Sequence, residues 1–347
     1  MITIVDDFLI SERGEEITRA TLLALKERFK ELSIQHEPDS FAGYKLSRDR
    51  TRHAITLSMP QKVIEAVREH LPQALEGDAK VEVIKGNKLM KIADGMELET
   101  TGRETKVLDR EQKATQSIIG SLKFVERIMP EISLPLHRLS CVMSAPPKEA
   151  LEVAKGVLYG AYLKRFEGIT YGGLEDGNDA EHVGIEGHAP DGLAASADAT
   201  WNDGRNLYGL IVTYNKGAIA HMTKKIRAVV ESSHHSEAIA TGEAAKQVIY
   251  AREVLRALGT PPQESTKIAT DNRANLLVAN DATSAKRARH FLSLYHILQQ
   301  RIETGEIMIT KMPTAVMPAD FLTKWVSGSK TKKSVQYATN ASAFVVA

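Results

Sequence analysis

Four carboxylates at the ends of elements carry the chemistry that this sequence suggests. Asp198 lies in Ser196-Ala-Asp-Ala-Thr-Trp201, an extended segment leading through the polar turn Asn202-Asp203-Gly204 into the apolar run Leu207-Tyr-Gly-Leu-Ile-Val-Thr-Tyr214. Glu237 opens a helix after Ser236, Asp271 closes a strand in Thr270-Asp-Asn272, and Asp320 opens the last helix in Ala319-Asp-Phe321. Acids from a first strand, a first helix, a later strand end and a last helix are what a divalent-metal nuclease needs. Hard Mg²⁺ takes oxygen ligands, and two such ions clamp the attacking water and the leaving oxygen of a phosphodiester. Taken singly, Asp271-Asn272 has the composition of a helix N-cap, and Asp320 that of a first-turn acid favoured by the helix dipole. Asp198 is harder to explain as structure, because aspartate is depleted in strands.

Periodicity supplies the elements that must position these acids. Strands are expected over 193–200, 207–214 and 218–222, then a helix, then a strand over 267–270. A short helix, a long helix over 285–304, a strand over 306–311 and a final helix follow. This order fits an α/β sandwich with helices on a five-stranded mixed sheet. At about 100° per residue, Glu237 aligns with Ala240, Ala244 and Val248, a small apolar stripe that should face the sheet. His235 points about 200° away, in line with Gly242 and Lys246. Glu237 is therefore the expected helix ligand, and His234 and His235 are expected to be exposed.

Upstream, residues 1–10 form an expected β-hairpin with Asp6 and Asp7 at its tip, followed by a helix over 17–32. A strand pair over 43–47 and 53–57 and a helix over 61–75 come next. Residues 77–113 are charged and irregular; a helix over 148–164 carries Leu151, Ala154, Leu158 and Ala161 on one stripe. Residues 172–192 are rich in glycine, aspartate and histidine and read as a linker. His182 and His188 within it have neither cysteine neighbours nor i,i+4 spacing, so they read as solvated rather than metal-bound.

The 347 residues allow two or three domains, and a formal net charge of +1 supplies no global field for a polyanion. Any nucleic-acid surface must be local: Lys224 and Lys225 in one basic run, Arg287, Arg289 and His290 in another. The single Cys141 excludes an intrachain disulfide and reads as a small buried apolar residue. No apolar run is long enough to span a bilayer, and the acidic N-terminus lacks a signal peptide's pattern. A cytoplasmic or nuclear protein is expected.

The ordered motifs resemble those of copia-type LTR retrotransposon Pol polyproteins. Ser196 to Trp201 matches the family's Ser-Asp-Ala-Asp-Trp, with Asp198 on the first acid and Thr200 on the second. Ala218 to Lys225 matches Ala-Ile-Ser-Trp-Lys-Ser-Lys-Lys, with His221 in place of tryptophan. Thr270-Asp-Asn272 matches Cys-Asp-Asn, and Pro318-Ala-Asp-Phe-Leu-Thr-Lys324 matches Leu-Ala-Asp-Ile-Leu-Thr-Lys. Residues 116–146 resemble the family's connection, and Ile4-Val-Asp-Asp7 resembles the polymerase Tyr-Val-Asp-Asp without its tyrosine. The run Glu237-Ala-Ile-Ala240 also resembles the Glu-Leu-Xaa-Ala of other ribonucleases H.

The resemblance implies a truncated reverse transcriptase palm end over 1–80 and a thumb and connection-like helical region over 81–173. A linker over 174–192, a ribonuclease H-like domain over 193–330 and a loose tail over 331–347 complete it. It implies hydrolysis of the RNA strand of an RNA–DNA hybrid, with Asp198, Glu237, Asp271 and Asp320 holding two Mg²⁺ ions, Mn²⁺ being a substitute. Asp6 and Asp7 become a polymerase remnant expected to be inactive in this chain alone. Implied partners are the hybrid and the rest of the same element, its N-terminal reverse transcriptase part or its integrase, in a cytoplasmic virus-like particle or the nucleus. The departures at Ile4, Thr200, His221 and His235 leave an alternative, a decayed element that keeps only a nucleic-acid-binding or structural fold.

Overall fold

Alternation along one alanine-rich strand decides how the larger sheet is dressed. In β7 (Ala194–Thr200), Ala195, Ala197 and Ala199 face one side while Ser196, Asp198 and Thr200 face the other. The computed structural model describes residues 2–4, 7–9, 15–29, 33–76, 81–96, 109–173, 192–202, 206–272 and 292–340.

The N-terminal half begins with β1 (Ile2–Ile4) and β2 (Asp7–Leu9), an antiparallel pair with Ile4 opposite Asp7. Asp6, expected at the tip of this hairpin, lies outside the described residues. After α1 (Glu15–Arg28), strands β3 (Ser40–Phe41), β4 (Tyr44–Asp49) and β5 (Ala54–Ser58) run antiparallel, and Pro60 opens α2 (Pro60–His70). Residues 86–96, expected to be irregular, form α3 (Gly86–Met96), whose Ala93 and Met96 are buried. An Asp109–Gln112 capping box starts α4 (Arg110–Val125). Then come α5 (Ser133–Cys141) and α6 (Lys148–Leu163). Val67, Ile118, Ile119, Leu122, Leu136, Leu139, Val153 and Leu158, from α2, α4, α5 and α6, share one core. Strand β6 (Gly168–Gly172) then pairs with β5, so residues on both sides of position 80 share one sheet and one core.

The C-terminal half contains β7, β8 (Leu207–Tyr214), β9 (Gly217–Lys225), α7 (Ser233–Ala257) and β10 (Thr266–Thr270). It continues with α8 (Leu292–Glu303), β11 (Ile307–Lys311) and a 3₁₀ turn at Pro318–Leu322. The sheet order is β11-β10-β7-β8-β9, with β10 parallel to both its neighbours and β7-β8-β9 antiparallel. Helix α7 covers one face, where Ala240, Ala244 and Val248 meet Ala195, Ala197, Leu210 and Val212. Small side chains on both partners let the helix lie close to the strands.

The other face corrects one expectation. Of the stretch after Lys330, expected to be loose, residues 331–339 belong to α9 (Gly328–Thr339), capped by the Ser327 hydroxyl. Its Val335 and Ala338 are buried against Ile211, Ala218, Phe321 and Leu322. Burial of a valine-sized side chain stabilises by roughly 1.5–3 kcal/mol, enough to hold a short polar helix in place. Asn340, left-handed at φ 52°, ends α9. Its side-chain amide donates to the Gly172 carbonyl at 3.0 Å, which ties α9 to β6.

The halves also meet at the edge strand β9. His221, where the family writes tryptophan, lies 3.3 Å from the Ser133 hydroxyl through Nδ1 and donates through Nε2 to the Arg127 carbonyl at 3.4 Å. Trp325 donates to Asp94 at 2.8 Å and packs against the N-terminal core. Among the described residues, no helix is long and apolar enough to cross a membrane.

Candidate active site

The site forms where β7 and β10 end beneath the first turn of α7. Asp198 is 1% exposed on the face of β7 away from α7. Its partner across the strand pair is Gly209, which makes room for the 3₁₀ segment above it. A Cβ on Gly209 would sit 2.6 Å from Leu322 Cβ and 2.9 Å from Thr323 Cγ2. Because that close approach is allowed, the Thr323 hydroxyl reaches down and donates to Asp198 Oδ2.

Glu237 sits one turn into α7 on the buried stripe with Ala240, Ala244 and Val248, as its helical phase requires. Its Oε1 accepts from the Ala199 amide at 3.3 Å, linking helix to strand. His235 is half-buried at the opening turn, where its amide is capped by Ser232. Asp271 follows the last residue of β10, and its Oδ2 accepts from the Thr314 hydroxyl at 2.8 Å. Carboxylate oxygens of Asp198, Glu237 and Asp271 all lie within 4.8 Å of one another.

Asp320 does not join that group. It is 1% exposed and faces two ammonium groups instead. Lys324 Nζ lies 3.1 Å from Asp320 Oδ1 and 3.5 Å from Asp198 Oδ1, and Lys330 Nζ donates to Asp320 Oδ2. Lys330 reaches in from the first turn of α9 and donates also to the Thr314 carbonyl. Neither lysine was singled out from the sequence. For Lys324 a signal was present, four residues after Asp320 on the same short segment; for Lys330 there was none, because its approach depends on α9.

The electrostatics match this crowding. Burial, with the neighbouring Asp198 and Asp271 charges, pushes Glu237 up to about 9. Asp198 is also raised, chiefly by burial, against the pull of Lys324 and with a further push from Asp320. Burial lowers Lys324, yet the surrounding Asp198 and Asp320 charges outweigh it and leave the ammonium above its ordinary value. Two acids that resist ionisation side by side mark a place short of positive charge. An oxygen-only donor set with excess negative potential fits a hard divalent cation.

Other expected contacts are placed apart from this cluster. Lys224 and Lys225 are exposed at the end of β9. Arg287, Arg289 and His290 lie outside the described residues. Thr200, on the family's second acid, accepts through its hydroxyl oxygen from the Leu207 amide at 3.2 Å.

A β-β-β-α-β-α-β chain in this strand order, with acids at the ends of adjacent strands and on the covering helix, is ribonuclease H-like. The sequence is similar to copia-type Pol polyproteins along nearly its whole length. It is 24% identical over 333 residues to the retrovirus-related Pol polyprotein from transposon TNT 1-94 of Nicotiana tabacum, covering 95% of this chain and 23% of that one. Against the polyprotein from transposon RE1 of Arabidopsis thaliana it is 25% identical over 338 residues, 94% of this chain and 20% of that one. The chain thus spans about a fifth to a quarter of the length of these curated relatives. No protein-family model matches. Similar solved structures include ribonuclease H1 from the halophilic archaeon Halobacterium salinarum, at 16% identity over 37% of this chain and 89% of that one, TM-score 0.25. Another is LC11-RNase H1 in complex with an RNA/DNA hybrid, at 16% identity over 35% and 86%, TM-score 0.24. Scores of that size add nothing to what the strand order says.

Proposed function

We propose that this chain hydrolyses the RNA strand of RNA–DNA hybrids in a divalent-cation-dependent reaction. The observation that carries the reading is the convergence of Asp198, Glu237 and Asp271 within 4.8 Å on a ribonuclease H-like sheet. Asp198, Glu237 and Asp271 would hold Mg²⁺, which would supply Lewis-acid activation of a water nucleophile. Glu237, tethered to the Ala199 amide, would orient that water. Two ions would need Asp320 as well, and its carboxylate is engaged by Lys324 and Lys330.

Selectivity for hybrid would come from groove shape and 2′-hydroxyl contacts rather than base reading. Lys224 and Lys225, exposed on an edge strand, are suited to phosphate contact, and Arg287, Arg289 and His290 are offered for the same role on sequence grounds. The ribonuclease unit would span residues 193 to about 340, with Asp6 and Asp7 a polymerase remnant and residues 81–173 a connection. The rest of a Pol polyprotein is the partner that the similarity implies. The test is incubation of full-length chain with an end-labelled RNA–DNA hybrid, RNA duplex and DNA duplex, with Mg²⁺ or EDTA. Cleavage of only the hybrid's RNA, only with Mg²⁺, is the expected result.

A further inference from the structure

We propose that this site takes a single divalent cation, on Asp198, Glu237 and Asp271, and that Lys324 and Lys330 hold Asp320 where a second cation would otherwise bind. The inference rests on the metal-dependent reading above and deepens it.

Geometry separates the four acids into two groups. Three share a locus within 4.8 Å. The fourth, Asp320, has one oxygen against Lys324 Nζ at 3.1 Å and the other against Lys330 Nζ. Metal ligation requires ionised carboxylates, so the loaded site carries four negative charges, and the two ammonium groups cancel two of them. Before substrate arrives, one divalent ion then brings this cluster to neutrality, whereas a second would leave it positive. Uncompensated charge is costly away from water, so the balance favours one ion.

Lys330 is largely buried, and Lys324, though its side chain is 40% exposed, lies against two buried carboxylates. Lys324 is one turn beyond Asp320 and also faces Asp198 at 3.5 Å, bridging the two groups of acids. The Lys330 side chain is 19% exposed and held additionally by the Thr314 carbonyl. The Thr314 hydroxyl in turn donates to Asp271 at 2.8 Å, so one residue touches both halves of the site. Lys330 stays there because α9 is anchored by buried Val335 and Ala338. Lys324 then presents a fixed positive charge beside the metal locus, suited to stabilising the oxygen that leaves the phosphodiester, which in a two-ion site falls to the second metal.

The experiment is to count bound Mn²⁺ from the electron paramagnetic resonance signal of the free ion, with full-length chain alone and with a cleavage-resistant hybrid, the hybrid's own binding subtracted. One ion per chain in both states is expected, and the Lys324→Gln/Lys330→Gln variant should rise to two. The order of hybrid cleavage in Mg²⁺ concentration should correspondingly be one. Two ions bound by the unmodified chain would overturn the inference while leaving the metal-dependent reading intact. No binding by the unmodified chain would sink that reading and the inference with it. If the double variant fails to fold, the count on the unmodified chain still decides.

Discussion

An ionised Asp198 in a sealed strand is costly unless positive charge faces it, and the same holds for Glu237 beside it. Glu237 is held well above the ordinary carboxyl value, near 9, by burial and by Asp198 and Asp271. The folded chain therefore keeps a proton that the unfolded chain loses above about 4.5, and metal-free stability falls as pH rises from there towards 9. Glu237→Gln should accordingly raise the metal-free melting temperature at pH 7, by the equivalent of roughly 1–3 kcal/mol, while stopping hybrid cleavage. A lowered melting temperature would show that the carboxyl is not strained by its neighbours. Proton release on metal binding should follow as well, so cation affinity should climb between pH 7 and 9; calorimetry in buffers of different ionisation enthalpy reads it directly. His235→Ala, at a half-buried position outside the carboxylate group, should barely alter cleavage; abolition would move the catalytic role from Glu237 to that turn.

At the scale of elements, the short segment 318–324 matters as much as the strands. It rests on Gly209, and Gly209→Ala should push Leu322 and Thr323 off the sheet. A cost of about 1–3 kcal/mol is expected from overpacking, with loss of cleavage through the displaced Thr323–Asp198 contact. Unchanged melting and activity would mean the segment is free to shift. The strands of the larger sheet and the phase of Glu237 were legible because period-2 and period-3.6 patterns are local properties of the chain. Asp198, Glu237 and Asp271 followed from that pattern together with the family's motif order. Helix α9 was not legible: its first turn reads Gly-Ser-Lys-Thr-Lys-Lys, and only tertiary burial of Val335 and Ala338 makes it an element. For the same reason Lys330 and its contact with Asp320 could not be foreseen. Strand β6 was hidden too, since its pairing partner β5 lies more than a hundred residues earlier.

Across the whole molecule, the two halves are joined by more than the linker. His221 spans the junction between β9 and the Ser133–Arg127 region, and Trp325 bonds Asp94. A protease site inserted in residues 174–191 should, once cut, leave two fragments that co-elute; separation at micromolar concentration would contradict a stable junction. Acid should weaken the same junction. Burial, helped by Arg138, Lys123 and Lys225, lowers His137 to about 4, and burial lowers His221. Above about 6.5 folded and unfolded histidines are both neutral; below it the unfolded chain takes up the proton first, so stability is lost as pH falls towards 4. For half-buried His137 that loss should be about 1–2 kcal/mol by pH 5, and His137→Gln should remove it from the urea unfolding curve.

The most direct test of the three-carboxylate site is cleavage of an end-labelled RNA–DNA hybrid with Mg²⁺ by the full chain and by Asp271→Asn. The substitution keeps side-chain shape and the contact with Thr314 but gives up the charge that would hold the cation. The expected result is RNA-strand products bearing 5′-phosphate and 3′-hydroxyl ends from the unmodified chain, and a loss of at least about a hundredfold in the folded variant. Equal cleavage by both proteins, or none by a folded unmodified chain with either Mg²⁺ or Mn²⁺, would contradict it.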